Sequence, residues 1–187
     1  MTDTATAGTA WLADLAASIP ATWTDNGPAV TGRSTETLTT RTFTSPDRLV
    51  TLTAYQRCFG DVYAELTGPG WTVLTDGHPA AALAEAARVA ATAPDTAEPR
   101  TTAGHLGRVL EAAGWTAADI NDTRLLERSW TSPDRARKVA WCPSDEDEPD
   151  CFFATCPGLN GRPVQAVCDH SVPAGILLAL AQAIAPA

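Results

Sequence analysis

Apolar residues alternate with Thr, Arg and Tyr along four short stretches of the first half, Glu36–Phe43, Leu49–Arg57, Val62–Thr67 and Trp71–Thr75. A period of two, in runs rich in Thr, Val, Leu and aromatics, predicts β-strands with one face buried and one open. Gly68-Pro69-Gly70 supplies the turn between the last two. The second half reads the same way over Leu125–Thr131, Arg137–Cys142, Cys151–Cys156 and Val164–Cys168. Around these sets the period changes. Trp11, Leu12, Leu15, Ala16 and Ile19 recur at helical spacing until Pro20 stops them. Leu106, Val109, Leu110 and Ala113 do the same within Gly104–Ala113, which Gly114 ends. Ala80–Ala91 follows Pro79 and a last apolar helix follows Pro173, since proline is tolerated in a helix's first turn. Each half therefore predicts an α-ββββ-α unit, with Trp23 through Gly32 as a Gly/Pro-containing loop.

The halves also share a motif. Arg41-Thr42-Phe43-Thr44-Ser45-Pro46-Asp47-Arg48 returns 87 residues later as Arg128-Ser129-Trp130-Thr131-Ser132-Pro133-Asp134-Arg135. Ser-Pro-Asp is turn chemistry: Ser hydrogen-bonds forward, Pro pre-sets φ, and Asp tolerates the next position. Flanked by β-prone runs, it predicts the tip of a hairpin between the first two strands of each unit. Turn chemistry accounts for Ser, Pro and Asp but not for the flanking arginines, which recur in both copies.

The Thr-Ser-Pro-Asp turn, the aromatic before it and the Ala/Leu-rich helix closing each copy resemble the actinobacterial SPDY-domain family of unknown function. Arg48 and Arg135 after the Asp depart from that pattern. The resemblance implies two tandem copies and a plasmid or mobile-element context, and it supplies no activity. The expected fold class is thus α+β: two tandem α-ββββ-α repeats, each an antiparallel four-stranded sheet with helices on one face, related by a pseudo-two-fold. Residues 1–8 read as a disordered tail, 9–91 as the first repeat, 92–102 as a polar linker and 103–187 as the second repeat.

A sheet with helices on one side leaves the other side free. Alternation assigns Val50, Leu52, Ala54, Val62, Ala64 and Leu66 to the helix side, with Val139, Trp141 and Phe153 in the second half. The open face then carries Thr51, Thr53, Tyr55, Arg57, Tyr63 and Glu65, and Lys138, Ala140, Phe152 and Ala154. Rings beside cations form a platform on which bases stack while the cations follow the backbone. The expected nucleic-acid-binding residues are Arg41, Arg48, Tyr55, Arg57, Tyr63, Arg128, Arg135, Arg137, Lys138 and Phe152. The competing reading gives the same rings to a protein interface.

Charge supports that competitor: the net charge is −9, with much of the acid in Asp145-Glu146-Asp147-Glu148-Pro149-Asp150. Such a balance argues against a nonspecific polyanion binder. Cys142, Cys151, Cys156 and Cys168 gather late with His170 close behind, but their spacing matches no zinc motif and alternation sets Cys142 and Cys151 on opposite faces. They read as small buried hydrophobes, with no metal and no cofactor. No phosphate loop, nucleophile elbow, zinc-protease or dinucleotide pattern occurs, so the expectation is a non-enzyme. There is no leader-like start and no apolar run long enough to span a bilayer, which points to a cytoplasmic protein free of membrane. Leu178 and Ala181 make the last helix apolar on its outer side too, so it needs a second partner, either the other repeat's sheet or the matching helix of a second chain in a homodimer.

Overall fold

The computed structural model describes residues 4–32, 37–57, 61–92, 103–118, 128–142, 151–157, 163–169 and 171–182. It is an α+β fold of four helices and one ten-stranded antiparallel sheet. The first half contributes α1 (Thr4–Ser18), β1 (Thr24–Thr31), β2 (Leu38–Thr44), β3 (Thr51–Arg57), β4 (Val62–Gly68), β5 (Trp71–Asp76) and α2 (Ala80–Thr92). The second contributes α3 (Ala103–Ala112), β6 (Thr116–Ala117), β7 (Arg128–Thr131), β8 (Lys138–Cys142), β9 (Cys151–Pro157), β10 (Pro163–Asp169) and α4 (Ala174–Gln182). The acidic loop and His170 lie outside the described residues.

Two expectations about the sheet are corrected. Each half carries five strands, not four, because β1 and β6 pair outside the hairpin bearing the Ser-Pro-Asp turn. The halves also do not form separate sheets: the strand order is β1-β2-β3-β4-β5-β10-β9-β8-β7-β6. β5 and β10 pair antiparallel, Val73 with Cys168 and Leu74 with Val167. The second half therefore joins the first turned end for end.

Helices α1, α2, α4 and α3 form a single layer, each packed on the next in that order. Their apolar faces meet Phe43, Leu52, Ala54, Ala64, Leu66, Val73, Val139, Ala154 and Ala166, all buried on one side of the sheet. Small residues let the central helices approach closely, so that a Cβ on Gly175 of α4 would sit 3.4 Å from Val89 of α2. The neighbour α4 finds is helix α2 of the same chain, not the other repeat's sheet as expected. With it in place, Ile176, Leu177, Leu180 and Ala181 are buried and Leu178 is partly buried.

Both Ser-Pro-Asp motifs form hairpin tips, joining β2 to β3 and β7 to β8. Ser45 N–H donates to the Val50 carbonyl at 2.9 Å, Arg48 N–H to the Ser45 carbonyl at 2.9 Å, and Val50 N–H to Ser45 Oγ at 2.9 Å. Ser45 Oγ donates to Asp47 Oδ1 at 2.5 Å, and Leu49 N–H donates to the same carboxylate oxygen at 3.1 Å. Ser132, Asp134, Ala136 and Arg137 repeat this network. Ser45 and Ser132 are buried, so each hydroxyl is a fixed internal post of its turn.

Candidate ligand-binding face

Cross-strand pairing decides which side chains share the side of the sheet away from the helices, because directly opposed residues of an antiparallel pair point the same way. One row runs from Thr40 through Tyr55, Tyr63, Asp76, Gln165 and Thr155 to Lys138 and Thr131. A second runs through Thr42, Thr53, Glu65, Leu74, Val167, Phe153 and Ala140. Leu74 is 54% exposed and Val167 38%, and they are paired at the junction of the halves. Among the described residues, no helix packs on this face.

At one end of the face, Tyr55 and Tyr63 stack with ring centroids 4.5 Å apart and planes 8° from parallel. The guanidinium of Arg57, two residues beyond Tyr55, lies 5.4 Å from the Tyr63 ring centre. Burial, and after it the nearby Glu65 charge, raises the Tyr55 phenol above its ordinary value. Arg57 N–H donates to the Asp61 carbonyl at 2.9 Å, closing the β3–β4 end, and Gly77 N–H donates to the Val62 carbonyl at 2.9 Å, holding Asp76 beside Tyr63. Arg57, Asp61, Tyr63 and Asp76 line a cleft of about 460 Å³.

The ten expected site residues do not form one patch. Tyr55, Arg57 and Tyr63 come together. Lys138 shares their row, but four strand spacings from Tyr63 and five from Tyr55, roughly 19 and 24 Å at the usual 4.8 Å between strands. Arg135 and Arg137 occupy the turn next to Lys138, at the same end of the sheet. Arg137 is committed to Asp134 at 2.5 Å, its side chain 10% exposed. The Ser132 hydroxyl, then the Ala136 N–H, holds the Asp134 carboxyl down to about 2. Arg48 sits in the other turn, at the far end of the sheet.

Arg41, Arg128 and Phe152 are not on this face. Arg41 pairs with Ala54 and Arg128 with Trp141, both helix-side register positions. Arg41 is further held by Asp25 at 2.6 Å and lies 5.6 Å over the Phe43 ring. Its hydrogen bonds lower the Asp25 carboxyl below its ordinary value. Phe152 pairs with Trp141 and Cys168, so its register position belongs to the helix side, and Phe153 takes the open-face position instead. Ala154 likewise pairs with Val139 and is buried under the helices. Two adjacent aromatics give alternation no phase, and the assignment slipped by one residue.

That slip also misplaced the cysteines. Cys142 pairs directly with Cys151, on one face and not two, at the positions that Tyr55 and Tyr63 hold in the first half. Among the described residues, no group of three or more His, Cys, Asp or Glu could hold a metal ion. No described helix is long and apolar enough to cross a membrane.

Arg48 and Arg135 adopt left-handed backbone, at φ 63° and 59°. Glycine or asparagine takes that conformation more easily. Both arginines are exposed and, among the described residues, neither has an ion-pair partner. Sequence reasoning missed Asp61, Asp76, Leu74 and Val167. Asp76 was within reach: a two-residue turn at Pro69-Gly70 pairs Gly68 with Trp71, and counting back pairs Tyr63 with Asp76.

Comparisons with protein-family models, with curated proteins and with solved structures return no match to this chain.

Proposed function

We propose that the protein is a non-enzymatic binder of short single-stranded nucleic acid, DNA before RNA, acting through the open face of its sheet. The observation that carries this reading is the half-exposed Tyr55–Tyr63 stack, with the Arg57 guanidinium against it, on a face where no described helix packs. Bases stack on aromatic rings largely without regard to sequence, and a neighbouring arginine adds cation–π and phosphate contacts. A strand starting at that corner and following its row reaches Lys138, with Arg135 beyond. That route has few cations, which fits a net charge of −9 and means weak, local binding with little polyelectrolyte character. With Arg41, Arg128 and Phe152 at helix-side register positions, the expected cations and rings do not form a platform across the whole sheet.

The test is anisotropy of a labelled single-stranded oligonucleotide across a salt series. Arg57→Ala and Lys138→Ala should each flatten the slope of log affinity against log salt by about 0.7, one phosphate contact apiece. Tyr63→Ala should cost on the order of 1–3 kcal/mol with the slope kept. Phe152→Ala should leave binding unchanged. The exposed Leu74–Val167 pair favours a second reading, a protein-binding face, because apolar side chains gain most by being covered. That reading gives no oligonucleotide binding even at low salt.

A further inference from the structure

We infer that the cleft beside Tyr63 selects a guanine base, an inference that rests on the single-strand reading above. Its lining is Arg57, Asp61, Tyr63 and Asp76, and its volume, about 460 Å³, falls within the range of small-molecule sites. Three of the four side chains are charged, and among the described residues none of the three has an ion-pair partner. Asp25, Glu85 and Asp134, by contrast, are each held by an arginine.

The mixture of charges narrows the ligand. A phosphate would gain from Arg57 but meet two carboxylates. An ammonium group would gain from the carboxylates but meet Arg57. A neutral, flat group that donates on one edge and accepts on the next suits all three, with its plane against Tyr63. Among the bases, guanine has that pattern. Its N1–H and N2–H₂ are adjacent donors for a carboxylate, and its O6 and N7 are adjacent acceptors for a guanidinium. Adenine turns an amino donor toward the arginine and a ring acceptor toward the carboxylate. Cytosine has one amino donor beside an acceptor, and the single ring N–H of thymine lies between two carbonyls.

Among the described residues the site occurs once. The matching corner of the second half has Cys142 and Cys151 where the first has Tyr55 and Tyr63.

The experiment compares labelled oligothymidylate with versions bearing one central guanine, adenine, cytosine or hypoxanthine, bound to the full chain at low salt. Guanine should tighten binding about 5- to 100-fold over thymine, the discrimination of a good bidentate contact. Hypoxanthine lacks the N2 amino group and should recover only part of that gain. The double variant Asp61→Asn/Asp76→Asn should lose the preference yet bind oligothymidylate at least as well as the native chain, with circular dichroism confirming its fold. Equal affinity for all the oligonucleotides would overturn the guanine assignment and leave single-strand binding standing. So would a guanine preference that survives in the double variant. Failure of every oligonucleotide to bind overturns both.

Discussion

His78 precedes α2, fully buried, and among the described residues neither ring nitrogen has a hydrogen-bond partner. Its backbone carbonyl is well used, accepting from Trp11 Nε1 at 2.8 Å, which holds the residue in place. Burial pushes its pKa from 6.5 down to about 4, against the opposing pull of the Asp76 backbone, whose approach falls short of a hydrogen bond. An imidazole that stays neutral in the folded chain but takes a proton in the unfolded chain destabilises the fold as pH falls. The loss begins below 6.5, grows by about 1.4 kcal/mol per pH unit, and levels off near 4. At pH 5 the two values give about 2 kcal/mol; at pH 7.5 they give almost nothing.

The second half provides the control residue. Val172 occupies the corresponding place one residue before Pro173, and it too is fully buried. His78→Val removes the titration and two buried polar atoms without introducing a group foreign to this site. Urea unfolding of both proteins from pH 7.5 to pH 4.5 should show their stability difference moving toward the variant by about 2 kcal/mol by pH 5. The offset at neutral pH mixes lost packing with relieved desolvation and is not the readout. Parallel pH profiles would show that the imidazole is solvated or partnered, and the reasoning would fail.

Gly68→Ala should destabilise by more than a typical surface change, about 1–3 kcal/mol in thermal melts, because its Cβ would fall 2.1 Å from the Trp71 ring. Arg48→Gly and Arg135→Gly should each raise stability by about 0.5–1 kcal/mol, relieving left-handed strain against the entropy of glycine. A loss of stability instead would mean that the arginine side chains hold the turn. Ser45→Ala should cost about 1 kcal/mol or more in chemical denaturation, since it strands the buried Val50 N–H.

How far the chain could be read depended on whether the deciding force was local. The Ser-Pro-Asp turns, the hairpins beside them and the Ala-rich helices are written in adjacent residues, and they stand where turn chemistry and period put them. α1 begins at Thr4, earlier than the Trp11 periodicity indicated, because Thr and Ala carry no amphipathic signal. β1 escaped because it is an exposed edge strand with Gly27 and Pro28 at an irregularity between Asp25 and Pro28. Proline is acceptable at such an edge, but in sequence it reads as a loop. The fusion of the sheets was invisible for a different reason. Exposed Leu74 and Val167 look like ordinary strand residues, and nothing within either half specifies that their strands pair with each other across the chain. Of the site, Tyr55, Tyr63 and Arg57 were found by alternation; their acidic neighbours required knowing the register.

The β5–β10 junction has a consequence for stoichiometry. If the chain were severed between residues 93 and 102, the first half would keep its own hairpins and lose its neighbour along β5, baring a row of unpaired N–H and C=O groups. What β5 accepts there is an antiparallel strand from a unit turned end for end, which a second copy of the same half can supply through its own β5. The Ala-rich side of α2, stripped of α4, would be offered to the twin helix at the same time. The severed half should therefore sediment as a two-fold dimer with a ten-stranded sheet rebuilt from identical chains. Such a dimer would display the tyrosine corner twice, at opposite ends of one face, and bind two oligonucleotides where the parent binds one.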